Sequence, residues 1–135
     1  MITHGIVESA KADFLRGIHR PDHQYKLALY TSDAALGQFT NAYRLLGEVE
    51  GEGYQAGGKE LRGFDTGTGQ DGSGWLTWTD AVVWPVATIK ARGALIYNNS
   101  LPGKPALCVL DFGQEFKSVN GAFTVALPPA LIVLE

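Results

Sequence analysis

Apolar and polar residues follow a helical period only near the N-terminus of this chain; elsewhere they alternate or form short apolar runs. Val7, Ala10, Phe14 and Leu15 fall close to an i, i+3, i+7, i+8 stripe, with Glu8, Lys11 and Asp13 off it. That spacing predicts a helix over Val7 to Leu15, stopped by Gly17. A helix this short is marginal alone and needs a surface to dock on. Pro21 and Asp22 break the pattern, and Tyr25, Leu27 and Leu29 then alternate with Lys26, Ala28 and Tyr30, a strand signal reaching Thr31. Further strands are expected at Lys59 to Phe64, at Trp75 to Thr79, and at Val86 to Asn98, where Gly93 marks a bulge or a close approach. Ala106 to Phe112 is nearly all apolar, as suits a strand covered on both faces. Phe123, Val125 and Leu127 share one face of another strand, Pro128 and Pro129 interrupt it, and Leu131 to Leu134 follows. Ala34 to Leu36 and Ala42 to Leu46 have the spacing of short helical turns. Gly47 to Gly58, Asp65 to Gly74 and Asn98 to Lys104 read as loops or turns. With about seven short strands and little helix, the expected fold is mainly β, an antiparallel β-sandwich or jelly-roll-like domain with a short N-terminal helical arm. The arm is placed at 1–20 and a single domain at 21–135.

Composition sharpens this outline. A chain of 135 residues suits one domain, and its single cysteine allows neither an intramolecular disulfide nor a multi-cysteine zinc site. Stability must come from packing or from a partner. Eleven Lys and Arg against 14 Asp and Glu give a net charge of −3, unlike a protein whose task is to neutralise nucleic-acid phosphates. No apolar run approaches the roughly 18 residues needed to span a bilayer, and the N-terminus lacks the basic-then-apolar order of a signal peptide. The expectation is a soluble protein without its own export signal. Charged residues make up 19%, below the roughly 25% usual for soluble domains, which suits a surface partly covered by other chains.

Two glycine patterns resemble nucleotide-binding motifs, and neither has the residues that the chemistry needs. Gly53 to Lys59 satisfies G-x-x-x-x-G-K, but Glu60 stands where a P-loop has the Ser or Thr that holds Mg²⁺, and Glu48, Glu50 and Glu52 just upstream would repel phosphates. Gly67, Gly69 and Gly72 satisfy G-x-G-x-x-G, yet a strand signal follows instead of a helix. Asp65 and Asp71 lack the spacing of a calcium loop. Of His4, His19 and His23, the last two stand four apart as on a zinc-binding helix, but Pro21 and Asp22 argue against a helix there. Cys108 lies in an apolar run and reads as a buried, inert thiol. Asp111, between Leu110 and Phe112, needs a donor, and Arg92 on the preceding strand is the candidate. Asn98-Asn99-Ser100 has the form of a glycosylation acceptor, relevant only to a secreted eukaryotic chain. Trp75, Trp78 and Trp84 suit either a glycan-binding face or core and interface packing. No nucleophile–base pair or metal cluster emerges, so no catalytic residue, cofactor or metal is assigned and no enzyme activity is expected.

Several segments together resemble small structural proteins of tailed bacteriophages. They are Ala12-Asp-Phe-Leu-Arg-Gly-Ile-His19, Tyr25-Lys-Leu-Ala-Leu-Tyr-Thr-Ser32, Asn41-Ala-Tyr43 with Glu48-Val49, and Gly51-Glu-Gly-Tyr-Gln-Ala-Gly-Gly-Lys59. Ala91-Arg-Gly-Ala-Leu-Ile-Tyr-Asn98, Val109-Leu-Asp-Phe-Gly113 and Gly121-Ala-Phe-Thr-Val125 continue the likeness. The chain is most similar in this respect to capsid cement, or decoration, proteins. That resemblance implies a jelly-roll-like β fold on the capsid exterior, made in the bacterial cytoplasm, that bridges major capsid proteins as a small homo-oligomer, a dimer before a trimer. It implies no direct nucleic-acid or membrane contact. Contact candidates are Phe14, Leu15 and His19 on the arm, Tyr54 in the first glycine loop, Trp75 and Trp78, and Leu131 and Val133 in a C-terminal strand suited to pairing across a dimer axis. A head–tail connector or tail component, and a glycan-binding adhesion module, are the alternatives.

Overall fold

The computed structural model describes residues 1–134 and is an antiparallel β-sandwich with one short N-terminal helix. Its elements are β1 (Gly5–Ile6), α1 (Glu8–Arg16), β2 (Tyr25–Tyr30), β3 (Lys59–Glu60), β4 (Phe64–Thr68), β5 (Gly74–Trp78), β6 (Val82–Asn98), β7 (Ala106–Val125) and β8 (Ile132–Leu134). One sheet has five strands in the order β1-β7-β6-β2-β3, and the other has three in the order β4-β5-β8.

The larger sheet is covered on both faces, which explains why β2 is buried almost throughout despite its alternation. Tyr25, Leu27 and Leu29 point into a core shared with the small sheet, where Tyr25 packs at 5.3 Å from Trp78 and Phe64 meets Trp78 edge-on at 5.8 Å. Ala28 and Tyr30 point the other way, into a second core with Leu95, Tyr97 and Val109 of β6 and β7. That second core is roofed by Ile2, Val7 and Ala10 from the N-terminal segment and by Ala34 and Leu36. The segment expected as a separate arm is therefore part of the domain: β1 pairs with β7, and Val7 and Ala10 are fully buried. Helix α1 begins and ends one residue later than its apolar stripe suggests. Its first N–H, on Glu8, donates to the Gln38 carbonyl at 2.7 Å, and Gly17 ends it in the left-handed conformation at φ 71°, which glycine adopts without penalty.

Other boundaries also differ. Residues 64–68, expected in a loop, form β4, because Phe64 and Thr66 pair with Trp78 and Leu76, and Gly67 lies directly beneath the Trp75 ring. Of the expected 59–64 strand, Lys59–Glu60 form β3 against β2, Leu61 donates one N–H to the Tyr25 carbonyl, and Phe64 begins β4. The two strands expected at 106–112 and from 123 are one continuous β7, bent where four residues separate Asp111 from Phe116 against one between Gly93 and Ala91. The bends of this ladder are β-bulges, which accommodate Gly113 and Asn120 at positive φ. Ala34 to Leu36 and Ala42 to Leu46 are not helical; isolated bridges tie Leu36 to Ile2 and Ala42 to Pro105. Backbone pairing to sequence-distant segments outcompetes a single unsupported turn.

Gly58 shows how closely this backbone packs: φ is 80°, and a Cβ there would overlap the Leu27 carbonyl oxygen and lie 2.7 Å from Ala28 Cα. Gly58→Ala is expected to lower stability by about 2–4 kcal/mol in urea unfolding, from left-handed strain plus overpacking. A cost under about 0.5 kcal/mol would show that the loop retreats from β2 freely.

Candidate functional site

The connection between β2 and β3 carries the most unusual chemistry of the molecule. Glu48 is buried, and among the described residues no cation forms a salt bridge with its carboxylate. One oxygen accepts the Tyr43 hydroxyl; the other accepts the Tyr54 hydroxyl at 2.5 Å and the Gly57 N–H at 2.8 Å. The Tyr54 oxygen in turn accepts the Leu29 N–H of β2 at 2.9 Å, and the Tyr97 hydroxyl of β6 donates to the Gly57 carbonyl at 2.7 Å. Tyr30 donates to the Arg44 carbonyl, and Thr31 donates its N–H to the Gly47 carbonyl at 2.9 Å. Neutral donors, not a counter-ion, thus satisfy the buried carboxylate. Burial raises the pKa of Tyr43 and Tyr54 above the ordinary tyrosine value, and their hydrogen bonds to Glu48 raise it further. Burial, then the Glu48 charge, lifts Tyr97 to about 12.

This network pins a connection that presents large apolar side chains to solvent. Phe39 is 76% exposed, Leu45 67% and Leu46 81%, whereas the backbone between them is tied down. Arg44 donates its guanidinium N–H to the Ala35 carbonyl at 2.7 Å, and Met1, Phe39 and Arg44 line one shallow depression. Leu15 at the end of α1 is 90% exposed. Single exposed leucines are ordinary; several large apolar side chains displayed on one connection are candidates for docking on a partner. The residue pattern alone did not flag Phe39, Leu45 or Leu46, because Ala42 to Leu46 resembles a helical turn with its apolar side inward.

The contact candidates separate by burial. Leu15 and Val133 are exposed, and Phe14, Trp75 and Leu131 are half-buried. Trp78 and Tyr54 are core residues, and the His19 side chain has no exposure, so these three are removed from any surface of the folded chain. Trp84 is also sealed in the core, packed at 5.7 Å from Tyr54 and edge-on at 6.3 Å from Phe123. Three tryptophans therefore do not form one face. β8 is an edge strand of the small sheet, beyond β5. Glu135, at the end of the segment expected to pair across a dimer axis, lies outside the described residues.

The nucleotide-like glycines have packing roles. Lys59, the lysine of G-x-x-x-x-G-K, donates to the Val83 carbonyl at 2.6 Å and lies 5.8 Å from the centre of the Trp84 ring, and Gly53 and Gly58 abut β6 and β2. Gly69 and Gly72 turn the chain between β4 and β5, where Asp71 accepts the Ser73 N–H and hydroxyl and is held below its ordinary pKa by them. Arg92 and Asp111 form the expected pair at 3.4 Å. Cys108 is buried and its thiol is pushed up to about 12 by burial. Asn98 of the glycosylation pattern is fully buried. Among the described residues no group of three His, Cys, Asp or Glu side chains is placed to hold a metal ion, and no helix is long and apolar enough to cross a membrane. Comparison with protein-family models, curated proteins and solved structures finds no match for this chain.

Two outcomes follow from the Glu48 network. Glu48→Ala strands three donors, two of them buried, and should cost at least about 2 kcal/mol, against less than about 0.5 kcal/mol for the exposed neighbour change Glu50→Ala, both read by urea unfolding. All five tyrosines, Tyr25, Tyr30, Tyr43, Tyr54 and Tyr97, have raised pKa values because of burial. A raised folded-state value means stability that is complete below pH 10 and declines as pH rises beyond it. Ultraviolet titration should show tyrosinate forming only together with loss of folded structure; early ionisation of a tyrosine in the intact fold would contradict that.

Proposed function

We propose that the chain is a structural protein of a tailed-bacteriophage virion, a cement protein that binds the outside of the expanded capsid and bridges major capsid proteins. The observation that carries this reading is the rigid apolar connection: Phe39, Leu45 and Leu46 project from backbone that the Glu48 network and the second core hold in place. Burying one such side chain contributes roughly 1.5–3 kcal/mol, and a prepositioned loop loses little conformational entropy on docking. Icosahedral repetition lets a modest interface act many times over. A ligand that binds only the expanded shell lowers that shell's free energy and slows its rupture. The sequence resemblance supplies the partner class; the sandwich supplies a stiff body whose two sheets leave edge strands for contact.

The reading is tested by adding purified protein to expanded shells that lack it and measuring co-sedimentation. Leu46→Asp should leave the unfolding midpoint nearly unchanged and weaken binding by about tenfold or more, because a charge would have to be buried at the interface. Undiminished binding by Leu46→Asp would remove this connection from the contact, and failure of the natural protein to bind any shell would remove the cement function.

A further inference from the structure

His19 and His23 lie on the connection between α1 and β2, and both turn Nδ1 toward one atom. Asn98 Nδ2 is 3.1 Å from His19 Nδ1 and 2.9 Å from His23 Nδ1. The other side of that amide is fixed, since Asn98 Oδ1 accepts the Ser100 N–H at 2.9 Å. A primary amide has two N–H bonds, and here each goes to an imidazole lone pair. In that arrangement each Nδ1 accepts and the ring N–H is on Nε2, which in His19 is buried without a hydrogen-bond partner. The point on which the two imidazoles converge, where a shared metal ion would sit, is filled by the amide nitrogen.

The cluster is largely withdrawn from water: Asn98 and the His19 side chain have no exposure, and His23 is partly buried. From α1, Asp13 stands 3.9 Å from His19 Nε2, beyond hydrogen-bond reach, and is engaged by Arg16 at 3.3 Å; the Phe14 ring lies 5.1 Å from His19. From the connection, the Arg20 N–H approaches His23 Nδ1 at 3.4 Å and the Arg20 guanidinium stands 3.8 Å from Asp22. From β2, the Tyr25 ring packs at 6.1 and 6.4 Å from the two imidazoles, and its hydroxyl donates to the Arg20 carbonyl. β6 contributes Asn98, which is uncharged. Burial holds His19 below its ordinary value, Asp13 opposes that, and the neighbouring His23 adds to it.

We infer that Asn98, His19 and His23 form an acid-released latch that holds residues 13–23 against the turn between β6 and β7. A protonated imidazole carries N–H on both nitrogens, so its Nδ1 becomes a donor facing a donor. Turning the amide over would offer its oxygen to the ring but leave the Ser100 N–H facing an NH₂ group. Either arrangement loses a hydrogen bond of Asn98 that the neutral rings allow. A lowered folded-state pKa gives stabilisation that is complete above the unfolded value of 6.5 and is lost as pH falls below it through the folded value. Movement stops at Gln24, whose N–H and side chain are tied to Ser100 and Asn99 at 2.7 Å each by groups that do not titrate in this range. Release lifts Phe14 from the apolar groove it lines with Trp75, Leu76 and Ile132. The inference is independent of the virion role.

Hydrogen exchange of the full chain, corrected for intrinsic rates, tests it at about pH 7.5 and about pH 5. Amides of residues 13–23 should exchange about tenfold or more faster in acid, with those of β6 unchanged. His19→Asn with His23→Asn keeps an acceptor at each position without a titrating proton and should abolish the difference. Asn98→Asp sets a carboxylate against the rings and should reverse it, giving better protection in acid. Equal protection of the natural chain at both pH values overturns the latch, as does acid opening that persists in the double variant. Should the double variant not fold, acid opening that is unchanged in Asn98→Asp overturns it equally.

Discussion

Glu48 carries its carboxylate beneath the surface with no salt-bridge partner among the described residues, so the chain must bring neutral donors to that point. Tyr43 arrives from one side in sequence and Tyr54 and Gly57 from the other, folding the connection back on itself. Tyr54 then reaches Leu29 of β2, and Gly57 is held by Tyr97 of β6, which fastens the fold-back to the middle of the larger sheet. Such a network acts as a unit, because losing one donor leaves the others around a charge that is more expensive to keep. The glycines at 57 and 58 belong to the same constraint: their backbone lies against β2 and the Tyr97 hydroxyl, where a side chain has no room.

The second constraint is that the larger sheet is apolar on both faces. The small sheet covers one face; the other is closed by the N-terminal segment, by α1 and by the start of the β2–β3 connection. Segments with little regular structure thereby become part of the core, and their outward side chains are displayed on a firm base. Leu36 turns in while Phe39 turns out, and Tyr43 turns toward Glu48 while Leu45 and Leu46 project. The apolar connection owes its stiffness to the same interactions that seal the sheet.

Much of this is written locally. The alternation from Tyr25 to Tyr30, the apolar run after Ala106 and the Gly17 stop each reflect short-range rules, and the structure places a strand, a strand and a helix end there. The Arg92–Asp111 pair was also legible, because the two residues lie on adjacent strands, where Asp111 pairs with Gly93 beside Arg92. What escaped is non-local. Gly67 reads as a turn residue until Trp75 is laid across it; Glu48 reads as one more loop carboxylate until Tyr43, Tyr54 and Gly57 surround it. His19 and His23 look like ligands by spacing, and the Asn98 amide that both face lies 75 or more residues away in the chain. Trp78 and Tyr54, expected as contacts, are buried by strands whose pairing no local pattern reveals.

A sandwich bearing an apolar connection on a firm base suits a protein that works by being held between others, and the proposed virion role makes a prediction of copy number by symmetry. A cement protein repeats with the capsid lattice, whereas a neck or tail ring contains about three to twelve copies. Quantitative mass spectrometry of purified particles produced from the genome that encodes the chain bears most directly on the proposed assignment. On the order of hundreds of copies per particle, accessible to surface labelling, is the predicted result. Absence from the particle, or a count matching a single ring, would contradict it.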